Sequence, residues 1–251
     1  MKIRILFMII GIFIGAYVGG FFTSQTVNIY YYNYTSHAVC SQPVDFNSSS
    51  ASFASITVPA VDQEGNGVAT TLDVQVVPGS GKTLTNVDKL LFWTDTQNSI
   101  RTAKSVAENL TNMSLENYDI IYTINANASV IEGPSAGGAL TVATIAAIQK
   151  RKLNGSVMMT GTINHDGTIG PVGEIIAKAA AAKSIGAELF LVPLSQSAQV
   201  TYESRKYCEK IGFSQICTVE QIPSKVDVSE KTGIEVKEVK NIGEALKYFL
   251  V

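Results

Sequence analysis

An uncharged apolar run near the amino terminus is the feature that most constrains this chain. Residues 5–22 contain no charged side chain, and Lys2 and Arg4 precede them. As a helix with a rise of about 1.5 Å per residue, the run would be about 27 Å long, close to the ~30 Å hydrocarbon core of a bilayer. We therefore predict a transmembrane anchor at 5–22 behind a cytoplasmic tip at 1–4. A cleaved signal peptide is the alternative, because residues 18–20 form a passable cleavage site, although the run exceeds the usual apolar length of such a peptide.

The distribution of positive charge gives the predicted anchor a direction. After Arg4 the next lysine or arginine is Lys82, so the positive-inside rule places the amino terminus in the cytoplasm and the bulk of the chain outside. In that compartment Cys208 and Cys217 could close a short disulfide and leave Cys40 unpaired; buried free thiols are an equally open alternative. We predict a single-pass protein of the cell membrane whose helix contacts lipid and whose main domain is extracytoplasmic.

Behind the anchor the composition indicates a linker and then a folded body. Residues 23–52 are rich in Ser, Asn, Thr and Tyr and contain one charged residue, Asp45, which is typical of a stalk. The folded body is predicted at 53–251. Because strands and helices alternate along it, the predicted fold class is α/β, a mixed sheet with flanking helices. The expected strands lie at 55–61, 68–77, 118–124, 157–160 and 189–192, and the expected helices at 95–110, 134–151 and 171–184.

The segment at 68–83 is predicted to be a strand followed by a turn. Leu72, Val74 and Val76 alternate with polar residues, which is the period of a half-buried strand. The following Gly-Ser-Gly-Lys-Thr at 79–83 resembles the end of a phosphate-binding loop, but that motif requires a glycine where Val76 stands, and no helix follows directly. We therefore expect a glycine-rich turn between two strands and no bound nucleotide.

The overall charge argues against another class of partner. The net charge is -2, and no run rich in lysine and arginine exists that could follow a phosphate backbone. Nucleic acid is therefore not an expected partner. No cofactor or metal ion is expected either.

The densest special stretch is Glu-Gly-Pro-Ser-Ala-Gly-Gly at 132–138. Pro134 suits the first position of the helix predicted at 134–151, which would place Ser135 at the helix amino terminus. Free backbone N–H groups and the positive end of the helix dipole stabilise a developing anion there, as an oxyanion hole must. Gly137 and Gly138 would leave room for a substrate backbone. The plainer interpretation is that Ser135 only caps the helix.

A serine nucleophile needs a base, and the histidines do not supply one. The G-x-S-x-G pattern of α/β-hydrolases requires an acid and then a histidine after the serine, but no Asp or Glu lies between Ser135 and His165, and His37 precedes the serine. His165 is itself predicted in a hairpin turn at 164–167. Lys178 is the remaining candidate, because packing against the four alanines that follow it would lower its pKa from ~10.4 toward the ~7–8 of a useful base. An ordinary surface lysine is the alternative.

These residues form an ordered set of motifs that resembles a known family. Gly-Pro-Ser-Ala-Gly at 133–137 is followed by Met-Thr-Gly at 159–161 and by Gly-Pro-Val-Gly at 170–173, with Lys178 in the predicted helix after them. In this order the motifs are similar to the proteolytic domain of Lon proteases, of the archaeal type. The resemblance extends over roughly 53–251 and is specific because it depends on the order of several motifs and not on one alone.

The resemblance implies the Lon proteolytic fold and a serine endopeptidase with a Ser-Lys dyad. Lys178 would take the proton from Ser135, an acyl-enzyme would form, and water would release it. The supporting positions that the family implies are Thr160, Glu132, Gly133 and Ala136. The threonine hydroxyl would orient the lysine, the glutamate matches an acidic position ahead of the serine, and backbone N–H groups around the serine would hold the oxyanion. The family also implies a homo-oligomeric ring, often of six subunits.

One large departure from the family concerns ATP. Classical Lon proteases carry an ATPase module that unfolds and threads substrates, whereas this sequence has no complete phosphate-binding loop and no room for that module. We therefore predict ATP-independent hydrolysis of unfolded or flexible polypeptides at the outer face of the membrane. The alternative is a catalytically silent, membrane-anchored domain that binds peptides or assembles partners.

Overall fold

The structure, a computed structural model, describes residues 51–62, 64–86, 91–92, 94–126, 130–131 and 133–251. The predicted tip, anchor and nearly all of the predicted stalk lie outside these ranges, and the first strand begins at Ser52. Within the described ranges, no helix combines the length and the apolar character that crossing a membrane requires.

The described chain alternates strands with five helices in the order of the sequence. The elements are β1 (Ser52–Val61), β2 (Gly67–Pro78), β3 (Thr83–Asn86), β4 (Leu91–Phe92), α1 (Thr94–Thr111), β5 (Tyr118–Ala126), β6 (Val130–Ile131), α2 (Gly137–Gln149), β7 (Val157–Met159), β8 (Thr162–Ile163), β9 (Ile169–Gly170), α3 (Ile175–Ser184), β10 (Leu189–Pro193), β11 (Ala198–Ile211), β12 (Ser214–Asp227), α4 (Val228–Thr232), β13 (Glu235–Val239) and α5 (Ile242–Phe249).

The largest sheet carries the alternation predicted at 68–77. Its strands lie in the order β1-β2-β5-β3; the β1–β2 and β2–β5 pairs are antiparallel, whereas β3 runs parallel to β5. Leu72, Val74 and Val76 are all buried, so one face of β2 packs into the core as the period-two pattern predicts. This strand is confirmed.

The glycine-rich segment after β2 is the predicted turn between two strands. The backbone N–H groups of Ser80 and Lys82 each donate to Oδ1 of Asp119 at 2.8 Å. These hydrogen bonds, with the nearby lysines, hold the pKa of the Asp119 carboxyl below its usual range. The amides that a phosphate loop would direct at a phosphate therefore bind a carboxylate of the chain itself.

Two packed layers bury the helix that follows the serine motif. All residues of α2 from Gly137 to Ala147 are buried, and the helix packs against α1, β1, β2 and α5. A helix that is apolar all round belongs inside a core. A parallel sheet in the order β13-β10-β7 forms a second core with α3, through side chains such as Phe190 and Ala179. The structure thus confirms a mixed α/β fold with sheets and flanking helices.

Strands β11 and β12 form a separate two-stranded ribbon, which we call the arm. The two strands pair antiparallel over 14 residues each, and none of those residues is buried. Cys208 and Cys217 stand opposite each other and form a disulfide, so the sequence's two alternatives for these cysteines resolve to the bonded one. The sequence patterns did not predict the arm.

Candidate active site

Ser135 lies in a turn ahead of α2 and not within the helix. The helix begins at Gly137, so the predicted start at Pro134 is wrong by three residues. The carbonyl oxygen of Ser135 explains the difference, because it accepts a hydrogen bond at 2.9 Å from the backbone N–H of Gly161, in a distant part of the chain. Ala136 is the cap residue, so the plainer interpretation of Ser135 as the helix cap is also wrong. The serine hydroxyl is therefore not committed to capping.

Thr160 and Gly161 hold the serine turn against the start of α2. The hydroxyl of Thr160 donates to the carbonyl of Ser135 at 3.3 Å, and the carbonyl of Gly161 accepts from the backbone N–H of Gly138 at 3.0 Å. Gly161 has a φ of 152°, and a Cβ there would collide with Ile169, so this position requires glycine. The structure thus places Thr160 on the serine's own backbone; its implied effect on the lysine stays a prediction.

Gly137 and Gly138 make room for the protein and not for a substrate. Both residues are buried. A Cβ on Gly137 would lie 2.9 Å from the backbone nitrogen of Ile163, and one on Gly138 would lie 2.6 Å from the Met159 methyl carbon. The expectation that these glycines face a substrate backbone is therefore wrong. Their role is to let the start of α2 approach the chain that carries Thr160.

The helix that carries Lys178 also begins later than predicted. It starts at Ile175 and not at Pro171, so residues 171–174 form a loop at its amino end. The side-chain amide of Gln196 causes this, because it donates to the carbonyl of Val172 at 2.7 Å and accepts from the backbone N–H of the same residue at 3.0 Å. Both backbone groups are thereby withdrawn from a helix. Gly186, in the left-handed region with a φ of 91°, follows the last turn as predicted.

Lys178 is a buried lysine, as a general base would need to be. Only 6% of its surface is exposed, and Ala179 and Ala182 on the same helix are fully buried, whereas Lys183 is exposed. Burial lowers the pKa of the Lys178 ammonium below its ordinary value of 10.5, and the negative charge of Glu174 partly opposes that shift. The alternative of an ordinary surface lysine is therefore wrong.

One cleft brings the serine and the lysine together. A cavity of about 380 Å³ is lined by both Ser135 and Lys178, and by Gly133 and Ala136 from the serine turn. Other walls come from the last residues of β1, from β2, from the first turn of α1 and from the loop at 171–174. Four of the predicted site residues thus line one cavity. Thr160 lies directly behind it, bonded to the serine carbonyl.

The remaining predicted positions have separate outcomes. Glu132 lies outside the described residues, so its supporting role stays a prediction. His165 is exposed at the tip of the β8–β9 hairpin, where Asn164 donates its N–H to the carbonyl of Thr168 at 3.0 Å. The predicted hairpin turn is therefore confirmed.

Three cleft residues were missed by the sequence patterns: Glu174, Thr70 and Thr96. Glu174 has a φ of 57° and acts on the pKa of Lys178 from the cap position of the helix. Thr70 lies on the same face of β2 as Leu72, two residues later. The other buried positions of that face are apolar, so a polar side chain there interrupts the apolar pattern. That interruption is the one signal that could have marked it. Thr96 stands near the start of a predicted helix, where threonine is a common cap, so it was not marked as a site residue.

Comparison with known proteins identifies a family. The sequence model of the Lon protease (S16) C-terminal proteolytic domain matches residues 60–229. The chain is 30% identical to Lon protease 2 of Bacillus subtilis (strain 168) over 135 residues, which is 52% of this chain and 24% of that protein. It is 26% identical to the archaeal Lon protease of Thermoplasma acidophilum over 160 residues, which is 63% of this chain and 24% of that protein.

A third relative gives a longer but equally partial match. The Lon protease of Buchnera aphidicola subsp. Acyrthosiphon pisum is 27% identical over 191 residues, which is 74% of this chain and 22% of that protein. The chain thus spans less than a quarter of the length of each of these relatives. The shared region includes the serine turn, Thr160 and Lys178 in the family match at 60–229.

Proposed function

Because the matched region covers more than half of its length, this chain belongs to the family of Lon protease C-terminal proteolytic domains, and we propose that it is an endopeptidase in which Ser135 is the nucleophile and Lys178 is its general base. Membership of this family makes the chain a serine-type peptidase with polypeptide substrates. The assignment of the two residues is the proposal. It rests above all on a buried lysine of lowered pKa that lines the same cleft as a serine free of any capping role.

The chemistry follows from the protonation state of Lys178. With its pKa lowered by burial, the amine is more readily neutral and can accept the Ser135 hydroxyl proton as the serine oxygen attacks the scissile carbonyl carbon. The resulting ammonium returns the proton to the leaving amine, and the acyl-enzyme remains. Water then attacks the ester carbonyl, gives a proton to the neutral lysine, and the serine leaves with that proton. Backbone N–H groups of the serine turn, at Ser135 and Ala136, stabilise the oxyanion.

Thr160 is proposed to position both partners of the dyad. Its hydroxyl holds the serine carbonyl at 3.3 Å, which fixes the backbone from which the nucleophile projects. The sequence resemblance implies in addition that the Thr160 hydroxyl orients Lys178. Gly133, with a φ of 90°, supports the turn itself. Glu132 is kept as the acidic position that the resemblance implies.

We place this activity outside the cytoplasm, on a chain anchored by residues 5–22. Two observations support the proposal: the uncharged run behind Lys2 and Arg4, and the Cys208–Cys217 disulfide, because disulfides persist in oxidising compartments. Maleimide labelling of cysteines introduced at the arm tip, in intact cells, tests it. Labelling by an impermeant reagent without lysis supports an outer location, whereas labelling only after lysis contradicts it.

We further propose that cleavage needs no ATP. The incomplete phosphate motif supports this, because Val76 replaces its first glycine and Asp119 occupies the amides of the turn. We also propose a homo-oligomeric ring, as the family resemblance implies, to be tested by mass photometry of the detergent-solubilised chain. A single monomer peak at assay concentration contradicts the ring and leaves the cleavage proposal intact.

Peptide cleavage by the full chain in detergent tests the dyad. Casein and fluorogenic peptides should be cleaved without nucleotide, at the same rate with and without added ATP. Ser135→Ala and Lys178→Ala should each lower the rate by about a thousand-fold or more, as loss of one member of a nucleophile–base unit does. Lys183→Ala, the exposed lysine of the same helix, is the matched control and should retain full activity.

Three outcomes would contradict parts of the proposal separately. Equal cleavage by wild type and both dyad variants would show that these residues are not the catalytic pair. Strict dependence on ATP would contradict only the ATP-independent part. Peptide binding by the wild type without any turnover would favour the silent binding domain instead.

A further inference from the structure

Two buried hydroxyls in the cleft have no hydrogen-bond partner among the described residues. They belong to Thr70, which is 2% exposed, and Thr96, which is 4% exposed. Both side chains line the cavity that also contains Ser135 and Lys178. A buried polar group without a partner costs about 1–3 kcal/mol, so two of them in one cavity call for an explanation.

The other buried threonines of the described chain show what is unusual here. Thr102 donates to the carbonyl of Asn98 at 3.0 Å, and Thr141 and Thr144 likewise donate to carbonyls four residues earlier in α2. Thr160 donates to the carbonyl of Ser135. None of these four lines the cleft. Within the described ranges, the buried threonines whose hydroxyls have no partner are thus the two that line the cleft.

The positions of the two threonines explain why the fold leaves them unpaired. Thr96 lies in the first turn of α1, so the residue four positions earlier, Phe92, belongs to β4 and offers no helical carbonyl. Thr70 lies in β2, whose backbone is paired with Val58 of β1 on one side and Ala126 of β5 on the other. A strand side chain stands perpendicular to its sheet, away from those paired backbone groups. Among the described residues, neither hydroxyl therefore has a local carbonyl to use.

We propose that Thr70 and Thr96 form a polar subsite that binds an uncharged, hydrogen-bonding side chain of the substrate, such as that of serine, threonine, asparagine or glutamine. The inference rests on the proposed peptidase function and adds a substrate preference to it. A hydroxyl both donates and accepts, so two of them match a side chain that does the same. The cavity wall also includes the apolar residues Val58, Leu72 and Ile124, and a charged side chain beside them would lose its hydration. The charged residues of the lining, Lys178 and Glu174, belong to the proposed catalytic part of the cleft.

The subsite also predicts a difference between polar and apolar side chains of the same shape. A purely apolar pocket accepts valine about as well as threonine, whereas a pocket with unpaired hydroxyls leaves them unsatisfied when valine enters. Because each neutral hydrogen bond contributes modestly, we expect discrimination of about 2- to 10-fold for each hydroxyl.

Stability measurements on the full chain test whether the hydroxyls are unpaired. Thr70→Val and Thr96→Val replace a buried unpaired hydroxyl with a methyl group of similar size, and both should keep or raise the Tm. Thr102→Val is the matched control, because its buried hydroxyl is paired, and it should lower the Tm. A lower Tm for Thr70→Val and Thr96→Val as well would show that these hydroxyls have partners in the folded protein and would overturn the subsite.

Binding and cleavage of matched peptides test the substrate preference. The peptides are labelled and differ at one position at a time, with threonine exchanged for valine or asparagine for leucine. Their binding is measured with the Ser135→Ala chain, and their cleavage is measured in parallel with the wild-type chain. At one position the polar peptide should be preferred, and the preference should disappear in Thr70→Val and Thr96→Val but persist in Thr102→Val. Binding to the Ser135→Ala chain needs no turnover, so it reports on the subsite even where cleavage fails.

The outcomes separate the two proposals. Cleavage without any polar preference, or a preference that survives both valine variants, overturns the subsite and leaves the peptidase. A polar preference in binding without cleavage overturns the peptidase and keeps the subsite. If Thr70→Val and Thr96→Val weaken the binding of polar and apolar peptides equally, the hydroxyls bind the peptide backbone, and the proposed side-chain preference is overturned.

Discussion

From here on, the body means the described residues outside the arm at 198–227. The body and the arm are both rich in strands, yet different forces hold them. In the body, every second side chain of the central strand β2 from Thr70 to Val76 is buried against helices, and α2 is buried on all its faces. In the arm, no residue of either strand is buried, and seven large apolar side chains are exposed. A two-stranded hairpin without a core is marginal in water. The arm therefore relies on its backbone ladder and its disulfide, whereas the body relies on packing.

This difference indicates where a reaction site can be built. Packing that excludes water lowers the pKa of a lysine, and hydrogen bonds from distant segments can fix a turn that holds a nucleophile. The body provides both, through the surroundings of Lys178 and through the bonds of Thr160 and Gly161 to Ser135. The arm provides neither. Its properties suit a surface element that can change without altering the cleft.

The largest expected difference between the body and the arm is the loss of stability when a phenylalanine in each is replaced by alanine. Phe249 is fully buried in the body, and Phe213 is fully exposed at the turn of the arm. Phe249→Ala should lower the free energy of unfolding by about 3–5 kcal/mol, because it leaves a cavity in the core. Phe213→Ala should change it by less than about 0.5 kcal/mol. Urea denaturation measures both. A large loss for Phe213→Ala would mean that the arm is packed in solution, for instance against another copy of the chain.

The second test removes the covalent link of the arm. In the double variant Cys208→Ser with Cys217→Ser, the closed arm should lose roughly 2–3 kcal/mol of local stability, the loop-closure entropy of so short a loop. Hydrogen exchange should therefore quicken across the arm while amides of the body stay protected. Peptide cleavage and the Tm of the body should be unchanged. Loss of cleavage would show that the arm supports the cleft and would break the distinction.

The body was more predictable from the sequence than the arm, for a physical reason. The apolar residues of β2 alternate because one face meets the core, and that contrast is visible in the sequence. In the arm both faces meet solvent, so apolar and polar residues mix without a period, and residues 198–227 gave no strand prediction. Likewise, the parallel pairing of β3 with β5 depends on contacts between distant segments, which local patterns do not encode.

Only some residues of the candidate site were predictable from the sequence, and its geometry was not. The order of motifs marked Ser135 and Lys178, yet both helix starts were placed too early. Tertiary hydrogen bonds decide those starts: Gly161 binds the Ser135 carbonyl, and Gln196 binds Val172. Such bonds override local helix preference and leave no trace at the helix start itself.

The third test compares buried and exposed positive charge. Because the pKa of Lys178 is lowered in the folded chain, the unfolded chain holds that proton to higher pH, so stability rises as the pH passes through the lowered value toward 10.5. Lys178→Met removes the cost of the buried ammonium. It should be more stable than wild type at neutral pH, by a margin that closes as the pH approaches 10.5.

Lys210→Met, in the exposed arm, is the matched control for the loss of one lysine. Its stability should differ from wild type by less than about 0.5 kcal/mol at each pH, as for most surface substitutions. Urea denaturation at several pH values gives both curves. A margin for Lys178→Met that is independent of pH would show that the effect is packing and not charge.

The smallest expected effect is a shift in the pH profile of cleavage. If Lys178 is the general base, as proposed, its neutral form is the active one, so kcat/KM should rise with pH and level off above its pKa, with a midpoint below 10.5. The negative charge of Glu174 raises that pKa, so Glu174→Gln should move the midpoint to lower pH, and added salt should reduce the difference between the two profiles. Glu209→Gln, in the arm, is the matched control and should leave the midpoint in place. A midpoint that moves to higher pH in Glu174→Gln would contradict the assignment of Lys178 as the base, because no loss of nearby negative charge stabilises an ammonium.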